Sequence, residues 1–392
     1  MSLLVLNGGS ATLKFALYRR QQVVLRGRIE RIGSRPQLVA IVGIGSTLRD
    51  IAFTGNDHAA VSSALLDWLE EQDMLDGLEG IAHRIVHGGR DFADPVRLDH
   101  TVLARLDTLV PLAPLHQPQA LAIVRHLLAR YPEVPQIACF DTAFHRTQPW
   151  VNQQFALPRT LTEEGILRYG FHGLSYAYIT RRLREMLGET AGGRVIVAHL
   201  GQGCSLCALR DGRSQATSMG FTALDGLMMG RRCGSLDPGV ILYLMQHKGF
   251  NAQAVEHLLY HDSGLYGVSG ISDDMRDLEA SEHPHAQEAI ALFVQRVVHE
   301  IGAMAAVNGG LDALVFTAGI GEHSQRIRAA ICQRLAWLGV ALDETANRHH
   351  AQRLDNGSGP SLWMIPTDEE EEIATASRTL LSDMTPGSGF ST

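Results

Sequence analysis

The chain has 392 residues, 45% of them hydrophobic and 19% charged, with 34 Lys and Arg against 42 Asp and Glu for a net charge of -8. Such a length suits two or three domains with buried cores, and an acidic balance without a clustered basic face excludes nucleic-acid binding as the main task. Five cysteines, an odd number in a long chain, exclude a disulfide framework and fit a reducing compartment.

The N-terminus has no basic leader, and no window approaches 18 uninterrupted apolar residues. Neither a signal peptide nor a membrane span is expected, and the expected location is the cytoplasm. Residues 3–6 form a compact apolar run that predicts a buried strand, ended by the turn Asn7-Gly8-Gly9-Ser10. A second strand is predicted over 13–18, so this opening is a hairpin rather than a strand-to-helix phosphate loop. Further strands are predicted over 21–32 and 37–44, a helix over 58–72, a strand over 81–86, helices over 103–109 and 119–131, and a buried strand over 136–140. The layout then restarts: a strand over 194–199, the turn Gly201-Gln202-Gly203, a strand over 205–209 and the hairpin signal Asp211-Gly212. A long helix is predicted over 285–308, a strand over 313–317, a turn at Gly319-Ile320-Gly321-Glu322, a strand over 361–365 and a last helix over 369–381. Two copies of one layout suggest two lobes.

Several clusters carry chemistry. In the first, 7–14, glycines admit a close approach of a phosphate, Ser10 and Thr12 offer hydroxyls, Lys14 a mobile positive charge and Asn7 a neutral oxygen of the kind Mg²⁺ accepts. No Walker A motif occurs. In the second, 83–90, Arg84 sits within an apolar strand pattern, where a guanidinium wants a carboxylate or phosphate. In the third, Asp141 directly follows a buried strand, and His172 lies in a glycine turn; ligands bind at the carboxyl ends of strands in open α/β sheets. The glycine-rich second half adds 199–203, 217–220, 229–234, 274–276 and 319–323. Cys204 and Cys207 lie three apart in a predicted strand, on opposite faces, which speaks against a metal or redox pair. Acidic residues 368–372 suit a helix N-terminus.

In their order, segments 7–15, 83–89, 113–116, 140–145, 168–173, 199–203, 217–220, 229–239, 269–276, 315–322 and 366–370 resemble the acetate kinase family over nearly the whole chain; the related propionate kinases share most of them. The resemblance implies an α/β, two-lobed fold of the acetate/sugar kinase and actin type. It has duplicated ribonuclease H-like β-β-β-α-β-α-β-α cores around a cleft, one lobe being 1–147 plus 375–392 and the other 148–374, with hinges near 145–150 and 374. It implies a homodimer and Mg²⁺-dependent, in-line transfer of the ATP γ-phosphoryl group to acetate, giving acetyl phosphate and ADP, with Mn²⁺ as a possible substitute metal. Asn7 and Glu369 would hold the metal. ATP would be held by Lys14, by His199, Leu200, Gly201, Gln202 and Gly203, by Asp274, Met275 and Arg276, and by Gly319, Ile320, Gly321, Glu322 and His323. Arg84 would hold the substrate carboxylate, with Val86 and Leu115 as apolar walls. Asp141 would be the catalytic acidic residue, orienting other groups rather than abstracting a proton, and His172 and Arg232 would stabilise the transition state. A carboxylate is already a nucleophile; the difficulty is bringing two anions together, which Arg84, Arg232, Lys14 and the metal would offset.

The sequence departs from the family pattern at Gln202 and His323, each in place of Asn, at Leu174 and Tyr176 in place of Thr and His, at Ala216 in place of Asp, at Arg231 in place of Thr and at Ala223 in place of a Pro. Without that Pro wall, propionate competes with acetate as the substrate. A reading of another class is an ATPase module of the actin or chaperone type. Arg84 and Arg232 beside His172 speak against it, because a water nucleophile needs no carboxylate clamp.

Overall fold

The computed structural model describes residues 2–9, 12–42, 46–52, 57–114, 116–188 and 193–384. It divides into two compact units, Met1–Ala143 with Asp368–Thr392, and Phe144–Thr367. The division falls at 143/144 and 367/368, against 147/148 and 374/375 anticipated from the sequence, because the whole of the last helix, Glu369–Met384, belongs to the first unit.

The strands of the first unit are β1 Ser2–Gly8, β2 Leu13–Arg19, β3 Gln22–Glu30, β4 Gln37–Val42, β5 Ser46–Ala52, β6 Leu78–Ile85, β7 Val96–Arg97 and β8 Gln136–Phe140. They make one sheet in the order β5-β4-β3-β2-β1-β6-β8-β7. β1 to β5 run as an antiparallel meander, whereas β6 lies parallel to β1 and β8 parallel to β6. The strand anticipated over 37–44 is β4, with Ile44 outside the described residues, and β5 is a further strand that was not anticipated.

β1 is buried along almost its whole length, and its residues Leu3, Leu4, Val5 and Leu6 are continuously apolar rather than alternating. Leu4 and Leu6 join a core that includes Val61, Leu65 and Leu69 of the helix His58–Glu71 and Ile123 and Leu127 of the helix Gln117–Arg130. The opposite face receives the helix Glu369–Met384: a methyl group at Gly80 on β6 would lie 2.7 Å from Leu381 and 3.3 Å from Leu3. Local chemistry starts these helices. Asp57 accepts from the Ala60 N–H, and Asp368 accepts from the Glu371 N–H ahead of a first turn of four glutamates, where the helix dipole favours negative charge.

The second unit carries β9 Arg194–Leu200, β10 Cys204–Arg210, β11 Arg213–Thr217, β12 Ala313–Thr317 and β13 Ser361–Met364, in the order β11-β10-β9-β12-β13. β10 is antiparallel to β9 and β11, and β12 is parallel to β9 and β13. Order and sense match β3-β2-β1-β6-β8, so the chain carries two ribonuclease H-like cores, the first enlarged by β4, β5 and β7. Tyr176, Ile179 and Leu183 of the helix Gly173–Leu187 pack on one face, with Val195, Val197, Cys207 and Val315. The helix Pro284–Asn308 packs against β9, β10 and β11. By length and composition alone this helix could cross a membrane, with a mean hydropathy of 1.5 in its most apolar window. Ala286, Phe293, Val297 and Ile301 along it are buried within the unit.

Each unit also buries a histidine. His83 meets the Gln136 amide oxygen at 2.8 Å; His145 is held by Ser214 Oγ and the Phe171 carbonyl, both at 2.9 Å. Burial pushes both from an ordinary 6.5 to about 4, so both are neutral near neutral pH. The unfolded chain binds these protons first as pH falls, so the stability they contribute is fully present above about 6.5 and lost as pH drops through about 4. Unfolding free energies from urea titrations at pH 7 to 4 are expected to fall, by on the order of 3 kcal/mol per histidine at most. His145→Gln is expected to flatten that slope.

Candidate active site

In the first unit, three parallel strands deliver side chains at their carboxyl ends. Asn7 stands near the end of β1, Arg84 near the end of β6, and Asp141 directly after β8. Arg84 donates from Nε to both Asp141 oxygens at 3.1 and 3.0 Å, and from Nη2 to Oδ2 at 2.5 Å. Its Nη1 donates to the Gly8 carbonyl at 3.0 Å and to Asn7 Oδ1 at 3.3 Å. Burial works against the Arg84 charge, but Asp141, Glu369 and Glu370 outweigh it and push its pKa up. At Asp141 burial pushes the pKa up while the guanidinium pulls it down. Asp141 is thus committed to orienting Arg84, and most of the Arg84 fork is engaged within the protein, one Nη2 hydrogen lying outside these bonds. Val86 follows β6 and is buried; Leu115 lies outside the described residues, as does Ser10.

Asn7 Nδ2 donates to Glu369 at 3.0 Å and to Glu370 at 2.6 Å. Burial raises the Glu370 pKa, Lys14 lowers it and Glu369 raises it again. Lys14 pairs with Asn7 across the β1–β2 ladder with its side chain exposed. Two adjacent carboxylates gathered on one amide, one of them buried, suit a hard divalent cation, which takes one or two carboxylates and keeps waters and phosphate oxygens as its remaining ligands. Glu370 was missed in the sequence; as the next residue in the acidic run, it was signalled only by its position.

In the second unit, a cavity of about 490 Å³ is lined by Gly201, Gln202, Asp274, Met275, Arg276, Gly319, Ile320 and His323, together with Asp273, Glu279 and Ser324. Residues 318–323 form a short helix, Ala318–His323, rather than the anticipated turn. It begins on Ala318 at φ +63, held by a bond from its N–H to Glu322 Oε1 at 2.7 Å. The same oxygen accepts from the Thr367 N–H at 3.2 Å, so Glu322 is engaged in shaping the backbone. Arg328, fully buried, donates from Nη1 to the Gly321 and Glu322 carbonyls at 2.9 and 2.8 Å and from Nε to Asn347 Oδ1 at 2.8 Å, stiffening the far end of that helix. Arg276 folds back on Asp274. Gln202 and Arg231 both donate to Asp273 Oδ2, at 3.1 and 2.8 Å, and Arg231 also stacks over Tyr266. The positive charge that the sequence placed beside Arg232 is therefore paired with Asp273.

His172 caps the helix Gly173–Leu187 in the left-handed region, at φ 58. Its Nδ1 meets Ser205 Oγ at 2.8 Å, and its ring stacks on His199 with centroids 4.1 Å apart. His199 Nδ1 meets Ser175 Oγ at 2.9 Å, and Ser175 meets Thr367 at 2.8 Å. Leu200 beside it is buried. Arg232 donates from Nη1 to the Ala223 carbonyl at 2.8 Å. A methyl group at Gly203 would lie 3.3 Å from His172 Nε2 and 3.7 Å from Arg232 Nη2. Only glycine leaves that space open, and the two donors face it next to Gly201 and Gln202 of the cavity. Cys204 and Cys207 are free and buried, with burial raising both thiols to about 12, so neither is a ready nucleophile or metal ligand.

Residues 2–375 match the model of the acetokinase family. The chain belongs to that family. Among relatives, the acetate kinase of Rhodopseudomonas palustris is 52% identical over 383 residues, which cover 95% of this chain and 96% of the relative. The acetate kinase of Nitrobacter hamburgensis is 49% identical, covering 99% and 98%. Among solved structures, a propionate kinase from Francisella tularensis superimposes with a TM-score of 0.90 at 36% identity, covering 96% of this chain and 98% of that one. The acetate kinase of Porphyromonas gingivalis gives 0.88 at 33%, covering 97% and 99%. The fold is thus that of the acetate and sugar kinases and actin, and the acetokinase-family member is a kinase.

The Arg84–Asp141 pair also bears on the stability of the first unit, since a buried guanidinium deprived of its counter-charge is costly. Asp141→Asn is expected to destabilise the protein by about 3–5 kcal/mol while lowering turnover. Thermal unfolding alongside a kinase assay reads both.

Proposed function

We propose that the protein is an ATP:acetate phosphotransferase, reversibly moving the γ-phosphoryl group of ATP onto acetate to give acetyl phosphate and ADP. The observation that carries this reading is the pair of donors, His172 Nε2 and Arg232 Nη2, facing the open space at Gly203 beside the cavity that Gly201, Gln202, Asp274 and Gly319 line. A nucleotide in that cavity presents its phosphates to donors already aimed. Arg84, oriented by Asp141, is the group for the carboxylate, with Val86 as an apolar wall for its methyl end. Asn7 and Glu369, with Glu370, would hold Mg²⁺ or Mn²⁺, which supplies neutralisation of phosphate charge when bound.

The chemistry is a displacement in line. A carboxylate oxygen of acetate bonds to the γ-phosphorus as the bond from that phosphorus to the bridging oxygen of ADP breaks. No proton need be abstracted, since the nucleophile is already an anion. The side chains act by position and charge: His172 and Arg232 donate to oxygens of the transferring group, whose charge they meet without rearrangement. Propionate is the second acid proposed, because Ala223 is a small residue and an added methylene changes discrimination by only about 1–3 kcal/mol.

Trapping the acyl phosphate with hydroxylamine tests the reading. ATP consumption is expected to require acetate, and Arg232→Ala is expected to lower turnover by about 10³-fold or more while the protein stays folded. ATP hydrolysis that ignores the acid, or near-normal turnover in that variant, would overturn it. The same assay with propionate gives the preference.

A homodimer is proposed on the helix Pro238–His247, which has no buried residue although Val240, Leu242, Tyr243 and Met245 are apolar and exposed. A second copy is the partner that would cover it. In sedimentation, Leu242→Glu is expected to shift the wild-type dimer toward monomer. Free cysteines fit the proposed cytoplasmic location.

A further inference from the structure

His172 reaches the reaction through Nε2, so what matters is whether that nitrogen carries a hydrogen. The answer lies behind the ring. Ser205, fully buried on β10, places its Oγ against His172 Nδ1 at 2.8 Å. The same Oγ is hydrogen-bonded by the phenol of Tyr176, a fully buried residue of the helix that His172 caps. Tyr176 is fixed to His172 through the backbone as well, its N–H donating to the His172 carbonyl at 3.0 Å. It is wedged edge-on between the rings of His145 and His199. Among the described residues these are the polar bonds of the phenol and of the Ser205 hydroxyl.

A count of hydrogens then settles the direction. The phenol and the serine hydroxyl each have one hydrogen to donate, and a neutral imidazole has one ring hydrogen and one acceptor nitrogen. If the phenol donates to Ser205 Oγ and Ser205 donates to Nδ1, both buried hydroxyl hydrogens have an acceptor and the imidazole hydrogen sits on Nε2, toward the space at Gly203. If Nδ1 carries the hydrogen instead, Ser205 must accept it, and either the phenol or the serine is left with a buried hydrogen and no acceptor, a loss of about 1–3 kcal/mol. Burial keeps the phenol protonated, its pKa pushed well above the ordinary value, so it has that hydrogen to give.

We infer that Ser205 and Tyr176 are positioning residues that hold His172 as the neutral Nε2–H tautomer, with the ring aimed at the space beside Gly203 as a hydrogen-bond donor. The inference rests on the proposed role of His172 at the transferring phosphoryl group. It adds a functional reason for a tyrosine at 176 and for the serine between two buried cysteines, neither of which touches substrate.

The test is nitrogen NMR on the full chain carrying ¹⁵N-histidine, with His172 assigned by its absence in His172→Ala. The wild type is expected to show a pyrrole-type Nε2 and a hydrogen-bonded, pyridine-type Nδ1. In Tyr176→Phe the two resonances are expected to move toward each other as the tautomers mix. In Ser205→Ala the Nδ1 resonance is expected to move to that of an unbonded nitrogen, with kcat falling about tenfold or more and the KM for ATP held. Ser205→Thr, which keeps the hydroxyl, is expected to restore both. A wild-type hydrogen on Nδ1, or resonances unmoved in both Tyr176→Phe and Ser205→Ala, would overturn the inference. Normal turnover in His172→Ala would instead remove the role proposed for His172, whatever the tautomer.

Discussion

In each unit the first core strand has an antiparallel neighbour on one side and a parallel neighbour on the other, and that arrangement places Asn7, Arg84 and Asp141 in the first unit and the Gly203 turn in the second. Parallel pairing of β1, β6 and β8 brings three strand ends level, which is why Asn7, Arg84 and Asp141, far apart in sequence, meet through hydrogen bonds. The antiparallel side supplies the tight glycine turns. Gly201 N–H donates to the Gly203 carbonyl at 3.1 Å, closing the turn between β9 and β10 and leaving Gly203 open before two donors. The ladder fixes the turn, and the turn fixes the space.

Charge is then distributed with little waste. A phosphotransferase between two anions needs cations, but unpaired buried cations cost stability. The chain meets both demands by giving several arginines acceptors within their own unit. Arg84 lies on Asp141, Arg231 on Asp273 and Arg276 on Asp274, while Arg328 is surrounded by carbonyl and amide oxygens. Arg232 is oriented through Nη1 by the Ala223 carbonyl at 2.8 Å.

The sequence made the strands and the site's residue types legible, because glycine turns, apolar runs and an arginine inside a strand each have a local physical meaning. It was silent where meaning depends on neighbours. The helix Gly173–Leu187 went unread, since its amphipathic pattern is short and its cap is a left-handed histidine rather than a serine or aspartate. Residues 318–323 read as a glycine turn because two glycines argue against a helix; a carboxylate four residues on makes the helix possible by accepting from the Ala318 N–H. Glu370 and Asp273 were passed over because nothing in an acidic residue's own identity tells which amide or arginine it will meet. The second boundary of the units falls ahead of the whole last helix, a position set by packing, which is not local.

Two non-glycine residues of the second unit, His172 at φ 58 and Ala318 at φ 63, sit in a backbone region that costs such side chains free energy, of order 1–3 kcal/mol each. His172 caps one helix and Ala318 opens another, both bordering the candidate nucleotide side, and both are held by bonds that an ordinary conformation would break: His172 by its ring on Ser205, Ala318 by its N–H on Glu322. At Ala318 the left-handed turn brings its methyl group to 3.4 Å from where a methyl at Gly201 would stand, so the β9–β10 turn and the helix 318–323 meet edge to edge and wall one cavity. At His172 it swings the ring off the helix and flat against His199. A relaxed backbone at either point would be more stable locally and would aim these groups elsewhere. The strain persists because the surrounding hydrogen bonds over-determine it, and at both points it fixes side chains and backbone beside the Gly201–Gly203 turn.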